Sequence, residues 1–186
     1  RQMCIRDRMD CEGMGIHEMW NVGATWAMNR HHKCNIAFLN NDIIIGDKFI
    51  STMAAGLRSD HQMVAICPNY DGRETVETVV QLHGICADRY DGTGGLAGFA
   101  FMVKSEWFQE GWRFPEDCKW WFGDNDLVLS VDMAGAWYGM ATQTTVEHID
   151  GGSKTGNWED PVMQQQLAKD KAAFMRRWAR HGVQVQ

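Results

Sequence analysis

The chain is first defined by what it lacks. No apolar run approaches the ~20 residues that a membrane span requires, and the N-terminal region has no signal-peptide apolar segment. No run of five or more basic residues occurs, and the net charge is -6, which argues against a nucleic-acid surface. The six cysteines include no Cys-x-x-Cys pair, so nothing suggests a zinc ribbon or a small disulfide scaffold. Reduced thiols in a cytoplasmic protein are the simpler expectation. Internal repeats and low-complexity tracts are also missing. What remains is an ordinary globular composition, 45% hydrophobic and 23% charged, over 186 residues. That length suits one domain with a sizeable core.

The stretch "RQMCIRDR" (1–8) resembles the translation of a transposon-end adapter used in sequencing libraries. It is therefore set aside from fold reasoning, and the authentic chain is expected from about Met9 to 186. Nine tryptophans are many for this length. They serve either a thick core or stacking surfaces for rings.

Elements follow from the hydrophobic pattern. Residues 20–33 read as a short helix with a loop-like start at Asn21-Val22-Gly23, and Asn35–Leu39 as a buried strand. Asp47 is placed to cap a helix carrying Phe49, Ile50, Met53 and Leu57 on one side. Met63–Cys67 reads as a second strand ended by Pro68-Asn69, and Leu96–Val103 as a third. The run "RETVETVVQL" fits helix or strand, and "DGTGG" is loop. Lys104–Glu110 reads as a short helix, 126–134 as another, Thr144–Ile149 as a strand and "GGSKTGN" as loop. A long helix closes the chain at about 160–181, with Pro161 in its first turn. Strands alternating with helices predict an α/β architecture.

Three places could carry chemistry. Asn40-Asn41-Asp42 follows a buried strand directly, where α/β sheets bind ligands and where a carboxylate can hold a hard cation. The same triplet also makes an ordinary tight turn. Asp124 and Asp126 stand at the start of a helix beside aromatics, as caps or as a general base near a substrate pocket. His148 ends an alternating strand before a Gly-Gly loop, either structural or a metal ligand. His17, His31, His32, His61, His83 and His181 show no such setting and read as surface or core fillers.

Together these segments resemble a family. "NVGATWAMN…IAFLNND" resembles the inverting glycosyltransferases of family 2, in which an Asn-x-Gly precedes an apolar strand ending in Asn-Asn-Asp. "GLAGFAFMVKSEWFQEGWRFPED…WWFGDNDLVLSV" resembles that family's acceptor-side segment. "VEHIDGGS" is similar to its metal-binding histidine region, and "DKAAFMRRWARHG" to its closing helix. The likeness spans about Asn21 to Gly182; each motif is weak alone, and their order adds specificity.

The resemblance implies a GT-A-type, Rossmann-like mixed sheet flanked by helices. It implies metal-dependent, inverting transfer of a sugar from a nucleotide-diphosphate sugar to a hydroxyl of a glycan or other acceptor, as in polysaccharide biosynthesis. Asp42 would bind Mn2+ or Mg2+ bridging the diphosphate, with His148 as a further ligand. Asn21, Gly23, Asn40 and Asn41 would line the donor side. Asp124 would be the base, with Asp126 supporting its loop. Trp120 and Trp121 offer a stacking surface for an acceptor sugar. Three departures stand out. Gly123 replaces the Glu that usually precedes the base. Asn40 replaces the first Asp of Asp-x-Asp, as in the rhamnosyltransferase-like branch. The first strand-helix-strand unit, which cradles the nucleotide base, is missing, so the chain reads as a fragment whose activity as it stands is in question. Two other readings remain: a non-catalytic carbohydrate-binding or interaction module with exposed Trp112, Trp120 and Trp121, and a metal-dependent phosphoester hydrolase, which needs more carboxylates.

Overall fold

The computed structural model describes residues 12–70, 72–84, 95–149 and 160–183. Elements run α1 (Ile16–Arg30), β1 (Asn35–Leu39), β2 (Ile43–Ile45), α2 (Phe49–Arg58), β3 (Met63–Asn69), β4 (Val79–Gln81) and β5 (Ala100–Lys104). Then follow α3 (Ser105–Gln109), α4 (Gly123–Met133), β6 (Trp137–His148) and α5 (Pro161–Ala179). The fold is mixed α/β around a mixed sheet of order β1-β5-β3-β6-β2, with β4 also on β6. β3 and β6 run parallel, and every other pairing is antiparallel.

The centre of the sheet, β3 and β5, is buried on both faces, and strand alternation divides its side chains. On β5, Phe101 and Val103 enter one core with Phe38 of β1 and Leu127, Val128 and Val131 of α4. Ala100 and Met102 enter the other, with Phe49, Met53 and Leu57 of α2. This period-two division lets one short apolar strand serve two layers. The tryptophans divide between core and surface. Trp20 packs against Phe38, Phe101 and Phe114 with ring centroids 5.0–5.5 Å apart, whereas Trp120 stays exposed. A third cluster, built from Phe174, Trp178 and Ala173 of α5 with Cys118, seats the closing helix.

Several sequence expectations need correction. α1 runs unbroken through Asn21-Val22-Gly23, because the Asn21 amide is bound to the backbone of Phe114 and no loop is needed there. Asp47 does not cap α2: the N-cap is Lys48, without a side-chain cap bond, and Ile50 faces outward. β3 continues through Pro68 to Asn69, with a register shift on its β6 side between these two residues. The third strand starts at Ala100, because 98–99 is a turn. Within the 73–82 run only Val79–Gln81 is regular, as strand. α4 starts at Gly123 and β6 begins at Trp137, both earlier than the pattern suggests. α5 matches its expectation, with Pro161 in the first turn and the Asp160 side chain accepting from the Val162 N–H. The loops expected at 151–157 and over most of 91–95 lie outside the described residues. Among the described residues no helix is long and apolar enough to cross a membrane.

Candidate functional site

The Asn40-Asn41-Asp42 turn is fixed by the chain on both sides of it. The Asn40 N–H donates to the Phe99 carbonyl at 2.9 Å. After the turn, β2 folds back antiparallel onto the end of β6, with Ile43 opposite His148. The Ile149 N–H closes the ladder on the Asp42 carbonyl at 2.8 Å. A carboxylate and an imidazole distant in sequence are thereby set on adjacent rungs. His148 Nε2 lies 3.1 Å from Asp42 Oδ1.

That pair has an unusual property. Neither atom makes a hydrogen bond, although both are buried. Their contact is within bonding distance, but it lacks hydrogen-bond geometry. Buried polar atoms are rarely left so, and each such atom calls for a reason. Two donors about 2.1 Å from one small divalent ion, at right angles to each other, stand about 3.0 Å apart. The observed separation matches. The other Asp42 oxygen side is open: the side chain is 44% accessible, that of His148 only 18%. Among the described residues no group of three or more His, Cys, Asp or Glu is arranged to hold a metal ion by itself. The pair therefore fits a cation that takes its remaining oxygens from a ligand and water, as Mg2+ sites built on substrate phosphates do.

Two consecutive residues connect this pair to Asp124. The Phe99 ring stacks on the His148 imidazole, centroids 4.5 Å apart and planes 27° apart. Gly98, beside it, lies against Asp124 so closely that a Cβ on Gly98 would overlap the carboxylate. Burial raises the Asp124 carboxyl to about 6, partly offset by the Asn125 N–H that donates to Oδ1 at 2.9 Å. A carboxylate tuned toward neutrality suits a general base. The sequence signal was the Gly-Phe pair, read there as strand.

Asp126 is on another side of α4. Two positions along a helix turn a side chain about 200° around the axis. Its Oδ1 meets Arg177 Nε at 2.9 Å and accepts from the Trp178 indole at 3.0 Å, and Oδ2 is buried without a partner. Burial raises this carboxyl to about 6 as well, against the pull of Arg177. Asp126 ties α4 to α5 and does not share Asp124's surroundings.

The loop before α4 is held from both ends of the chain. On the α1 side, the buried His17 donates from Nδ1 to the Cys118 carbonyl, and burial lowers its basicity. Asn21 both donates to and accepts from Phe114 and donates to Glu116. On the α5 side, the buried Asp170 accepts the backbone N–H groups of Lys119, Trp120 and Trp121 at 2.8–3.1 Å. Phe122, in the left-handed region at φ 72°, follows them and stacks on Phe174 with centroids 5.1 Å apart. A non-glycine residue held there stores roughly 1–3 kcal/mol of strain, of the kind found near functional sites.

Placement of the expected residues is thus uneven. Asp42 and His148 meet, Asn40 and Asn41 share their turn, and Asp124 joins through Gly98 and Phe99. Asn21 is engaged inside the protein, and Gly23 sits on α1 with open space beside it. Trp120 is exposed and Trp121 half-buried, their rings packed edge to face at 5.6 Å. His17 is no filler but a clamp, and Asp170 was not singled out at all. Comparison of the chain with protein-family models and with curated proteins finds no match.

Proposed function

We propose that this chain carries the catalytic side of a metal-dependent, inverting glycosyltransferase that uses a nucleotide-diphosphate sugar. One observation carries the reading: Asp42 and His148, far apart in sequence, present two otherwise unpartnered buried atoms 3.1 Å apart at a strand end. A divalent cation bound there would offset the charge of a departing diphosphate. Asp42 and His148 would hold it, and the Asn40-Asn41 turn would border the donor. Asp124, reached through Gly98 and Phe99, would take the proton of the acceptor hydroxyl as that oxygen attacks the anomeric carbon. Attack opposite the leaving group in one step inverts the configuration. Trp120 would offer its exposed ring to the acceptor. The GT-A assignment belongs to this proposal. It is supported by the strand-end site at the Asn40-Asn41-Asp42 turn.

The test is release of nucleoside diphosphate from a panel of UDP-, GDP- and dTDP-sugars, with and without Mn2+. The reading expects metal-dependent turnover that Asp42→Ala and Asp124→Asn each abolish, the first by loss of metal binding and the second with metal binding intact. Turnover that is indifferent to metal, or that survives Asp42→Ala, overturns it.

A further inference from the structure

A cavity of about 360 Å3 lies between α3, α4 and α5, lined by Trp107, Trp112, Ser130, Arg177, Trp178 and His181 among others. It is remote from the site above. β1 and β5 pair with Leu39 opposite Ala100 and Asn35 opposite Lys104. The Asp42 turn follows the Leu39 end, whereas Trp107 follows the Lys104 end, about 13 Å of strand away. Along α4, Ser130 and Ala134 line the cavity, while Asp124 sits in the first turn.

Its walls combine two features that core packing does not require. The first is indole surface: half-buried Trp107 and Trp112 have ring centroids 6.5 Å apart and are tilted by 41°, an open V rather than a parallel slot for a flat ring. Trp112 is fixed by donating to Ser130 at 2.9 Å. The second is unused donor capacity. Arg177 is 39% accessible and is anchored through Nε on Asp126, while its two terminal nitrogens have no partner among the described residues. A guanidinium held by one nitrogen and free at the other two is preorganised for a two-oxygen anion. Asp126 already offsets Arg177 and Glu110 lines the same cavity, so the walls carry no excess positive charge. That disfavours a highly charged ligand such as a polyphosphate and restricts the match to a single carboxylate on the Arg177 fork.

We infer that this cavity is a second binding site, separate from the catalytic pair, for a sugar ring bearing a carboxylate, as in a uronic-acid residue of a glycan chain. The carboxylate pairs with the free fork of Arg177, and the puckered C–H face of the ring rests on the tilted indoles. The choice of a sugar rests on the glycosyl-transfer reading; the carboxylate does not.

The test is binding of galacturonate and glucuronate-containing oligosaccharides to the whole chain, followed by tryptophan fluorescence and calorimetry, with neutral malto-oligosaccharides as controls. Acidic oligosaccharides should bind and neutral ones should not. Arg177→Lys keeps a charge for Asp126 but loses the fork, and should weaken binding at least about tenfold. Trp107→Ala, which leaves the Arg177–Asp126 pair itself unchanged, should do the same. Absence of acidic-oligosaccharide binding, equal binding of neutral chains, or undiminished binding by both variants overturns the inference. Mn2+ titration of the same samples separates the two proposals, since neither variant touches Asp42 or His148. Acidic-sugar binding without Mn2+ binding would sink only the transferase reading.

Discussion

Phe99 stacks on His148 while its neighbour Gly98 backs Asp124, so a two-residue turn joins the Asp42–His148 pair to the candidate base. Removing the ring by Phe99→Ala should free the imidazole to rotate and lower Mn2+ affinity about tenfold, the scale seen when supports of metal ligands are lost. Gly98→Ala should instead displace the Asp124 carboxylate and leave Mn2+ affinity unchanged. Calorimetric titration of the two variants distinguishes these effects. Equal losses in both would dissolve the division of labour.

Gly123 and His17 form a similar close contact. A Cβ at position 123 would collide with the His17 ring, so this chain has no room for the Glu that the resemblance puts there. Gly123→Ala is expected to cost roughly 1–3 kcal/mol through overpacking, read as a drop in Tm. His17→Ala should partly rescue it in the double variant, although His17→Ala alone loses the bond to the Cys118 carbonyl. A neutral Gly123→Ala would contradict the packing.

Asp170 accepts three consecutive backbone N–H groups and the Gln166 side chain at 2.7–3.1 Å. Asp170→Ala leaves those partly buried donors without their acceptor and should destabilise by about 1–3 kcal/mol. The indole fluorescence of Trp120 and Trp121 should shift before global unfolding, because the variant frees their loop first. A chemical-denaturation curve and emission spectrum check both.

The pH dependence of stability should run against the usual acidic pattern at two positions. Asp124 and Asp126 each have a folded pKa of about 6, above the ordinary value of 3.8. Between those values the folded state binds more protons than the unfolded one, so each group's contribution falls as pH rises from about 4 to about 6. Below about 4 both states are protonated and the contribution is complete. Asp124→Asn should therefore raise Tm by about 5 °C at pH 7.5 and change it little at pH 4. Catalysis has the opposite slope, since the base must be ionised: turnover should rise through pH 6. A Tm difference independent of pH would show that Asp124 titrates normally.

The sequence made some of this legible and hid the rest for identifiable reasons. Local features came through: β1 from its β-rich run, and α5 from Pro161 and its apolar spacing. So did three placements: Asp42 in the turn after β1, Asp124 in the first turn of α4 and His148 at the end of a strand. Pairings across the chain did not. Nothing local reveals that Ile43 lies opposite His148, nor that three N–H groups of the 119–121 loop converge on Asp170. Asn21-Val22-Gly23 read as loop because a helical Gly costs about 1 kcal/mol. The helix absorbs that cost through the bonds of Asn21 to Phe114, which only the fold supplies. Asp126 looked like a partner of Asp124 by spacing, yet helix geometry turns it toward Arg177.

Mn2+ binding to the whole chain, compared with Asp42→Ala and His148→Ala, decides whether the Asp42–His148 pair holds a metal ion. Electron paramagnetic resonance of free Mn2+, with and without nucleoside diphosphates, supplies the measurement. The account predicts saturable binding that a nucleoside diphosphate tightens and that either substitution weakens at least tenfold, about 1.4 kcal/mol. Binding that is absent with every diphosphate, or unchanged in both variants, would contradict it.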